Sequence, residues 1–315
     1  MSKSNKITEA ALLTSAYIIL LLISVYIPLI GTFTFFALPI PFIMYTAKYN
    51  WQPALMMFIA AGLLSFIFAT LFSLPMTLLM AIGGIMIGTA IYEKKSAYET
   101  WARGAVGFVV GLIGVFLIIQ FLFNINIYDE IDTVFAEMMN IMQTTSDQLG
   151  MGDELNEQLE PIAEQMDLLK DLIPASMAII SILMAFIAQW LSYKILNRID
   201  RRSLYFPSFT SFNLPVSLIW MYFIALLLSF FVTDTESGIY IVVMNVVTLS
   251  MLLLMIQGFS FIFFYAEHKK LSKAIPIVIV IVTFLIPGIF FLLIRILGII
   301  DLGYSLKKRI ANKGT

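Results

Sequence analysis

Long apolar segments follow one another along most of the chain, and they restrict its possible folds more than any other feature. Windows of about 19 residues identify membrane helices, and nine segments stand out, at roughly 8–30, 33–47, 52–72, 74–92, 104–123, 173–196, 214–233, 239–266 and 274–300. Crossing a bilayer takes about 20 residues of helix, and most of these segments approach that length. With 60% hydrophobic and 12% charged residues, the chain is far more apolar than a soluble domain.

We therefore predict an all-α fold, a polytopic transmembrane helix bundle, because backbone groups in lipid are satisfied only within helices or closed barrels. The first segment has no small-residue cleavage site after it, which favours a retained signal anchor. Pro287-Gly288 divides the last segment into two halves of about 13 residues. We expect eight spans followed by a re-entrant or short hairpin at 274–300, which gives eight to ten segments in all. A single crossing by 274–300 is the alternative.

Basic residues fall at every second break between the apolar segments. Lys48, Lys94 and Arg201 are examples, whereas an intervening break contains Asp234 and Glu236. Lys and Arg concentrate in the cytoplasmic loops of membrane proteins. We therefore expect a multi-pass protein of the plasma membrane with a cytoplasmic N-terminus, and, if 274–300 is a hairpin, a cytoplasmic C-terminus as well.

Residues 127–172 form the one substantial polar segment, between a five-span N-terminal bundle (1–126) and a C-terminal bundle with a basic tail (173–315). This segment carries twelve acidic residues against one basic residue, Lys170. Apolar residues recur at helical spacing on either side of a turn-like stretch at 143–153. We predict an extracytoplasmic amphipathic helical hairpin, which serves as a lid over a substrate cavity or as a cap that binds cations or a partner. A solvated acidic surface without a specific role is the alternative.

Residue patterns typical of catalysis and of cofactor binding are missing from the sequence. It contains no Cys, no Gly-rich phosphate loop, no Rossmann fingerprint and no G-x-S-x-G elbow. His268 is the only histidine, and we expect it at the membrane interface. We predict that the chain is not an enzyme, that it binds no cofactor or metal and that it has no nucleic-acid partner. The spans up to 266 carry no charge near their centres, which argues against a proton pump.

Small residues at four-residue spacing are the first set of candidate interaction sites. They are Ala11 and Ser15, Gly84 and Gly88, and Gly107 and Gly111. In lipid, such pairs let two helix backbones approach closely. They serve either packing within the chain or docking of a membrane partner. For docking, the preferred pair is Ala11 and Ser15, near the cytoplasmic end of the first span.

Arg295 and Asp301 are the second set of candidates. Arg295 lies within the last apolar segment, and Asp301 follows it by six residues. On one regular helix the two side chains would point about 120° apart and would not pair. A bent hairpin would give each a different partner. The alternative is an arginine that extends to the interface, with Asp301 marking the end of the apolar segment.

Three stretches together resemble the YybS-type family of uncharacterised bacterial polytopic membrane proteins. They are the opening Thr8-Glu9-Ala10-Ala11-Leu12, the acidic insert after the fifth span, and the ending Leu297-Gly298-Ile-Ile-Asp301-Leu-Gly303-Tyr304 with Lys307-Lys308-Arg309. The resemblance covers nearly the whole chain. It implies a polytopic membrane protein and no particular reaction.

Residues 1–200 are also distantly similar to the substrate-binding S components of energy-coupling-factor transporters. Those proteins use an Ala-x-x-x-Ala-like pattern in the first helix to meet a membrane coupling subunit. Here the pattern is Ala11-Leu-Leu-Thr-Ser15, with Ser in the second place, and the spans after residue 200 depart from that family. The similarity implies docking of the first helix onto an energising partner.

Two functional hypotheses follow. The first is a small-solute binding or transport component with a cavity that opens outward under the acidic insert and with energy supplied by a partner ATPase module. The second is a non-transporting scaffold that binds other membrane proteins. The expected partners are the lipid bilayer, a membrane protein or ATPase module, and a small-molecule ligand. An intramembrane lipid-modifying enzyme is the least favoured hypothesis.

Overall fold

A computed structural model describes residues 3–149, 166–235 and 237–313. In these ranges all regular secondary structure is helical, which confirms the predicted all-α polytopic bundle. The helices are α1 (Lys3–Tyr26), α2 (Pro28–Phe35), α3 (Ile40–Tyr49), α4 (Trp51–Ala69), α5 (Leu74–Tyr92), α6 (Ala97–Leu122), α7 (Ile127–Leu149), α8 (Met166–Asp171), α9 (Ile173–Ile199), α10 (Ser217–Phe231), α11 (Gly238–His268), α12 (Ala274–Leu285), α13 (Pro287–Tyr304) and α14 (Leu306–Lys313). Short 3-10 turns occupy Leu71–Ser73 and Phe209–Ser211.

Eight helical segments of the described residues are long and apolar enough to cross a membrane. They are Asn5–Tyr26, Pro28–Tyr49, Trp51–Ala69, Leu71–Tyr92, Ala97–Leu122, Ile173–Ile199, Gly238–His268 and Pro287–Tyr304. Their number agrees with the prediction, but their identity does not, because α10 at the predicted span 214–233 has only 15 residues. Pro215 lies just before α10, and the extended backbone of Val232 ends it.

The C-terminal apolar segment is divided at Pro287, as predicted, but into unequal helices. The ring of Pro287 disfavours helical backbone at the residue before it, and Ile286 has φ −128° and ψ 72°. α12 has 12 residues, whereas α13 has 18 and reaches the membrane-spanning length. The prediction of two halves of about 13 residues was therefore wrong for the second half. The helix continues through Asp301 until Ser305, whose left-handed backbone ends it.

The first two spans meet at Pro28, slightly before the predicted boundary at residues 30–33. Pro28 starts α2 and leaves Ile27 outside the helical region, at φ −121° and ψ 89°. The chain then folds back, so that the hydroxyls of Ser24 and Thr34 lie 2.7 Å apart. Gly31 permits this approach, because a Cβ there would lie 2.5 Å from the Ser24 carbonyl oxygen.

The chain forms two compact units. The first unit comprises residues 1–170 and 176–206, and the second comprises residues 171–175 and 207–315. The sequence predicted a different division, into 1–126, 127–172 and 173–315, which concerns sequence organisation and stays a prediction. In space, residues 176–206 lie with the first unit. Residues 150–165, which hold most of the second half of the predicted acidic hairpin, and Glu236 lie outside the described residues.

The first unit has a helical core and two chemically different ends. Tyr17, Phe42 and Phe108 are its largest fully buried side chains. The chain segments that follow α3, α5 and α9 lie together at one end, which also carries basic residues. The end of α2, the turn before α5 and the end of α6 gather at the other end, where α7 begins. Successive breaks between the helices of this unit therefore lie at opposite ends.

In the second unit, α11 and α13 cross in close contact at Gly258 and Gly298, each of which faces a backbone carbonyl of the other helix. Beyond α13, the Lys307 Nζ donates hydrogen bonds to the Phe212 carbonyl oxygen at 2.6 Å and to the Ser260 Oγ at 2.7 Å. Phe212 precedes α10, and Ser260 lies in the last third of α11. The segment 274–304 therefore begins and ends at the same end of this unit. Its two helices, α12 and α13, form a hairpin.

Candidate ligand-binding cavity

A cavity of about 830 Å³ lies at the end of the first unit where α7 begins. Its walls come from the end of α2, the turn and first residues of α5, the end of α6 and the first turns of α7. The lining residues are Phe35, Phe72, Pro75, Met76, Leu79, Val115, Ile119, Phe123, Ile125, Ile127, Glu130, Ile131, Val134, Phe135 and Met138. The volume is within the range of about 300–1,000 Å³ that is usual for small-molecule sites.

Two tight turns place residues around this cavity. Thr70 has φ 78° and ends α4, so that the turn Leu71–Ser73 separates α4 from α5. Asn124 has φ 57° and redirects the chain from α6 into α7. The rings of Phe72 and Phe123 stack with 4.7 Å between their centroids, which joins the two turns at the cavity wall.

One wall of the cavity is formed by α7, the first helix of the acidic insert. Ile127, Ile131 and Phe135 repeat at four-residue spacing, are half-buried and line the cavity. Asp129 and Asp132 lie between them in sequence, Glu137 follows them, and all three are exposed to solvent. The helix is therefore amphipathic, with its apolar side toward the cavity.

The cavity lining is chemically uniform, and Glu130 is its one titratable residue. Hydrocarbon and aromatic walls favour an apolar ligand, since they remove its surface from water without offering polar partners. The carboxyl group of Glu130 is the single group able to fix a polar end of such a ligand. The set of lining residues has none of the clustered His, Cys, Asp and Glu side chains that hold a metal ion.

The four predicted glycines lie in close helix contacts within the first unit. A Cβ added at Gly84 or at Gly88 would lie 2.8 Å from a backbone carbonyl oxygen of the chain around α3. At Gly107 and Gly111, an added Cβ would lie 2.7 and 2.9 Å from side-chain atoms of α5. At these positions α5 closely approaches α3 on one side and α6 on another, and a larger residue would force the helices apart.

Ala11 and Ser15 lie elsewhere, on an exposed face of α1. The Ser15 hydroxyl donates to the Ala11 carbonyl oxygen of its own helix at 2.9 Å. Both residues line an open groove of about 760 Å³ beside the start of α4. Of the predicted small-residue pairs, this is the one that the described helices of the first unit leave uncovered.

Arg295 and Asp301 do not meet, and each has its own partner in the second unit. The Arg295 guanidinium lies 5.7 Å from the ring centroid of Tyr222. Asp301 is only 1% exposed, and its Oδ2 accepts a hydrogen bond from the Gln257 Nε2 at 2.6 Å. The same oxygen lies 3.5 Å from the Lys307 Nζ.

Lys307 is the functional candidate that the sequence prediction missed, because it was assigned to the basic tail. Burial lowers the pKa of its amine, and the nearby Asp301 carboxylate partly opposes that shift. Lys307 reaches Asp301 across the left-handed Ser305, so helical spacing does not relate the two residues. The available signal was Asp301 itself, since a carboxylate in an apolar segment requires a partner.

A family model described as "Predicted membrane protein (DUF2232)" matches residues 15–302 of the chain. The chain belongs to the DUF2232 family. The matched range includes every residue that lines the cavity and includes Asp301, and it begins after Ala11. The family description and the apolar helices of spanning length therefore both indicate that this DUF2232 protein is an integral membrane protein.

The uncharacterized protein YybS of Bacillus subtilis (strain 168) is similar to this DUF2232 chain. The two are 30% identical over 311 residues, which cover 98% of this chain and 100% of YybS. The predicted resemblance to the YybS-type family is confirmed. Among solved structures, none matches the DUF2232 chain.

Proposed function

We propose that this DUF2232 protein is a non-enzymatic component that binds a small apolar solute in the cavity under α7 and contributes to its transport. The observation that carries the proposal is the cavity of about 830 Å³ with fourteen uncharged lining residues and Glu130. The amphipathic helix α7 forms one wall of it, and we propose that this helix acts as a lid. Opening such a lid would expose the apolar ligand site to the aqueous side or to the lipid interface.

In this proposal the protein spans the plasma membrane with a cytoplasmic N-terminus and an extracytoplasmic insert. The distribution of charge supports this orientation, because Lys48, Lys94 and Arg201 gather at the end of the first unit opposite to the cavity. Lys and Arg accumulate on the cytoplasmic side of membrane proteins. The cavity would then receive its ligand from outside. We propose that a partner ATPase module supplies the energy for uptake.

A second role, as a scaffold that binds another membrane protein, is favoured by the first helix. Ala11 and Ser15 are exposed beside a groove of about 760 Å³, and small side chains let a partner helix approach closely. The distant similarity to S components of energy-coupling-factor transporters involves the same pair. A partner at this groove is compatible with either role, whereas a ligand in the cavity favours the first.

Native mass spectrometry of the protein purified in mild detergent tests the ligand proposal. We expect a retained small molecule, and we expect Val115→Trp to reduce the retained fraction at least about tenfold, because the indole would occupy the cavity. Leu117→Trp is the matched control, since Leu117 lies on the same helix, is 46% exposed and does not line the cavity.

Three results would count against the ligand proposal. The wild-type protein retains no small molecule, or the two Trp variants lose it equally, or the wild-type protein carries a stoichiometric protein partner and no ligand. The last result would favour the scaffold. Equal loss in both variants would place the retained molecule on the lipid-facing surface instead of in the cavity.

A further inference from the structure

A second cavity, of about 590 Å³, lies at the opposite end of the first unit and has a different lining. Five basic residues contribute to it: Lys48, Lys94, Lys95, Arg201 and Arg202. They come from the ends of α3, α5 and α9, which converge there. No Asp or Glu is among the lining residues. We call this cavity the basic pocket.

The positive charge of the basic pocket is only partly balanced. Lys48, Lys95 and Arg202 each lie near one carboxylate, at 2.7, 3.3 and 3.3 Å respectively, from residues outside the lining. Lys94 and Arg201 form no ion pair with a carboxylate in the described ranges. Both are exposed. Two positive charges therefore remain available to an anion.

Hydrogen bonds hold the backbone that carries Arg201 and Arg202. The Asn197 amide donates to the Leu204 carbonyl oxygen at 2.7 Å and accepts from the Leu204 N–H at 2.8 Å. The Arg202 guanidinium donates to the Ala47 carbonyl oxygen at 3.2 Å. The loop after α9 is thereby fastened to α9 and to α3. Because this loop is already ordered, less conformational entropy is lost when an anion binds.

We infer that the basic pocket binds a phosphate-bearing anion, with Lys94 and Arg201 as its main ligands. A guanidinium group forms paired hydrogen bonds with phosphate oxygens, and an ammonium group adds a compact positive charge. Tyr92, 46% exposed at the pocket, is an aromatic residue of the type that lies at membrane interfaces. The phosphate belongs either to the headgroup of an anionic phospholipid or to a soluble compound.

Binding titrations on the purified full-length protein in neutral detergent test the inference. One arm uses phosphatidylglycerol, with phosphatidylcholine as the neutral reference, and the other uses inorganic phosphate. Each basic residue near an anionic headgroup adds about fivefold in affinity, so we expect Lys94→Gln/Arg201→Gln to weaken binding about thirtyfold. Lys194→Gln/Arg198→Gln removes the same charge from α9 outside the pocket and should change the affinity little.

The two arms distinguish the sources of the phosphate. Binding of phosphatidylglycerol that weakens only in the pocket variant supports a lipid headgroup, and the same pattern with inorganic phosphate supports a soluble ligand. Lys94→Arg/Arg201→Lys keeps both charges and should retain binding, which separates lost charge from lost fold. Equal weakening in the pocket and control variants, or no binding of either probe to the wild-type protein, would overturn the inference.

Discussion

The first unit carries its charged side chains near its two ends, whereas the second unit buries one between its helices. Of the buried residues in the described ranges, Asp301 alone is charged. In the first unit, helices approach through Gly84, Gly88, Gly107 and Gly111, and a cavity remains at one end. In the second unit, α11 and α13 also approach closely at Gly258 and Gly298, and Asp301 additionally joins α13 to α11 and to Lys307 through polar contacts.

This difference shows two ways of fixing helices in lipid. Apolar faces lack a hydrophobic driving force toward one another in a membrane, so close packing and polar contacts select the arrangement. In the first unit, glycine contacts join α3, α5 and α6, and an apolar cavity lies at the end where α7 begins. In the second unit, a buried carboxylate requires its partners, and this requirement specifies where the C-terminal hairpin ends. The proposed ligand site therefore belongs to the first unit, whereas the polar contacts of the second unit stabilise its helices.

Asp301→Ala should produce the largest effect. It leaves the Lys307 amine without its carboxylate, and removing one partner of a buried ion pair costs about 3–5 kcal/mol of stability. That is a large part of a typical total of about 5–15 kcal/mol, so we expect a markedly lower unfolding temperature. Thermal unfolding in detergent measures the change, with the exposed neighbour Lys308→Ala as control.

A second variant tests whether Asp301 acts through Lys307. Replacing both members of a buried pair by apolar residues is often nearly neutral, so Asp301→Leu/Lys307→Met should recover most of the stability. If Asp301→Ala unfolds at the same temperature as Lys308→Ala, the assigned role of the buried carboxylate is wrong.

Glycine substitutions should give smaller effects, graded by the space at each position. An added Cβ at Gly298 would overlap the Leu254 carbonyl oxygen, and overpacking of this kind costs about 1–3 kcal/mol. Gly88→Ala should cost less, because its nearest neighbours, the Thr46 Cβ and the Ile43 carbonyl oxygen, lie farther away, at 2.5 and 2.8 Å. Gly62→Ala meets nothing within 4 Å and should stabilise its helix by up to about 1 kcal/mol. Unfolding midpoints that fail to follow this order would contradict the observed helix contacts.

Much of the fold was predictable because lipid-embedded helices leave a local signal. Length and hydropathy located most of the spans, and Pro287 located the break in the last segment. The spacing of Ile127, Ile131 and Phe135 predicted an amphipathic helix in the acidic insert. Each of these features depends on residues that lie close together in sequence, so periodicity and proline geometry were sufficient.

The remaining features depend on contacts between distant residues. The hydrogen bond between Asp301 and Gln257 joins positions 44 residues apart, and no periodicity relates them. The cavity combines residues from Phe35 to Met138, and its volume depends on how the turns at Thr70 and Asn124 orient the helices. The length of α13 was underestimated because a polar residue, Asp301, was taken to mark the end of the apolar segment.

Thiol labelling of the insert in intact cells tests the cavity beside α7 most directly. The chain contains no Cys, so a single introduced thiol is unique. Ile131 lines the cavity, and Ile141 on the same helix is 66% exposed. A membrane-impermeant maleimide should label Ile141→Cys rapidly and Ile131→Cys at least about tenfold more slowly, which corresponds to about 1.4 kcal/mol of protection. Equal rates would contradict an α7 whose apolar side faces the cavity, and labelling of neither site before permeabilisation would contradict an extracytoplasmic insert.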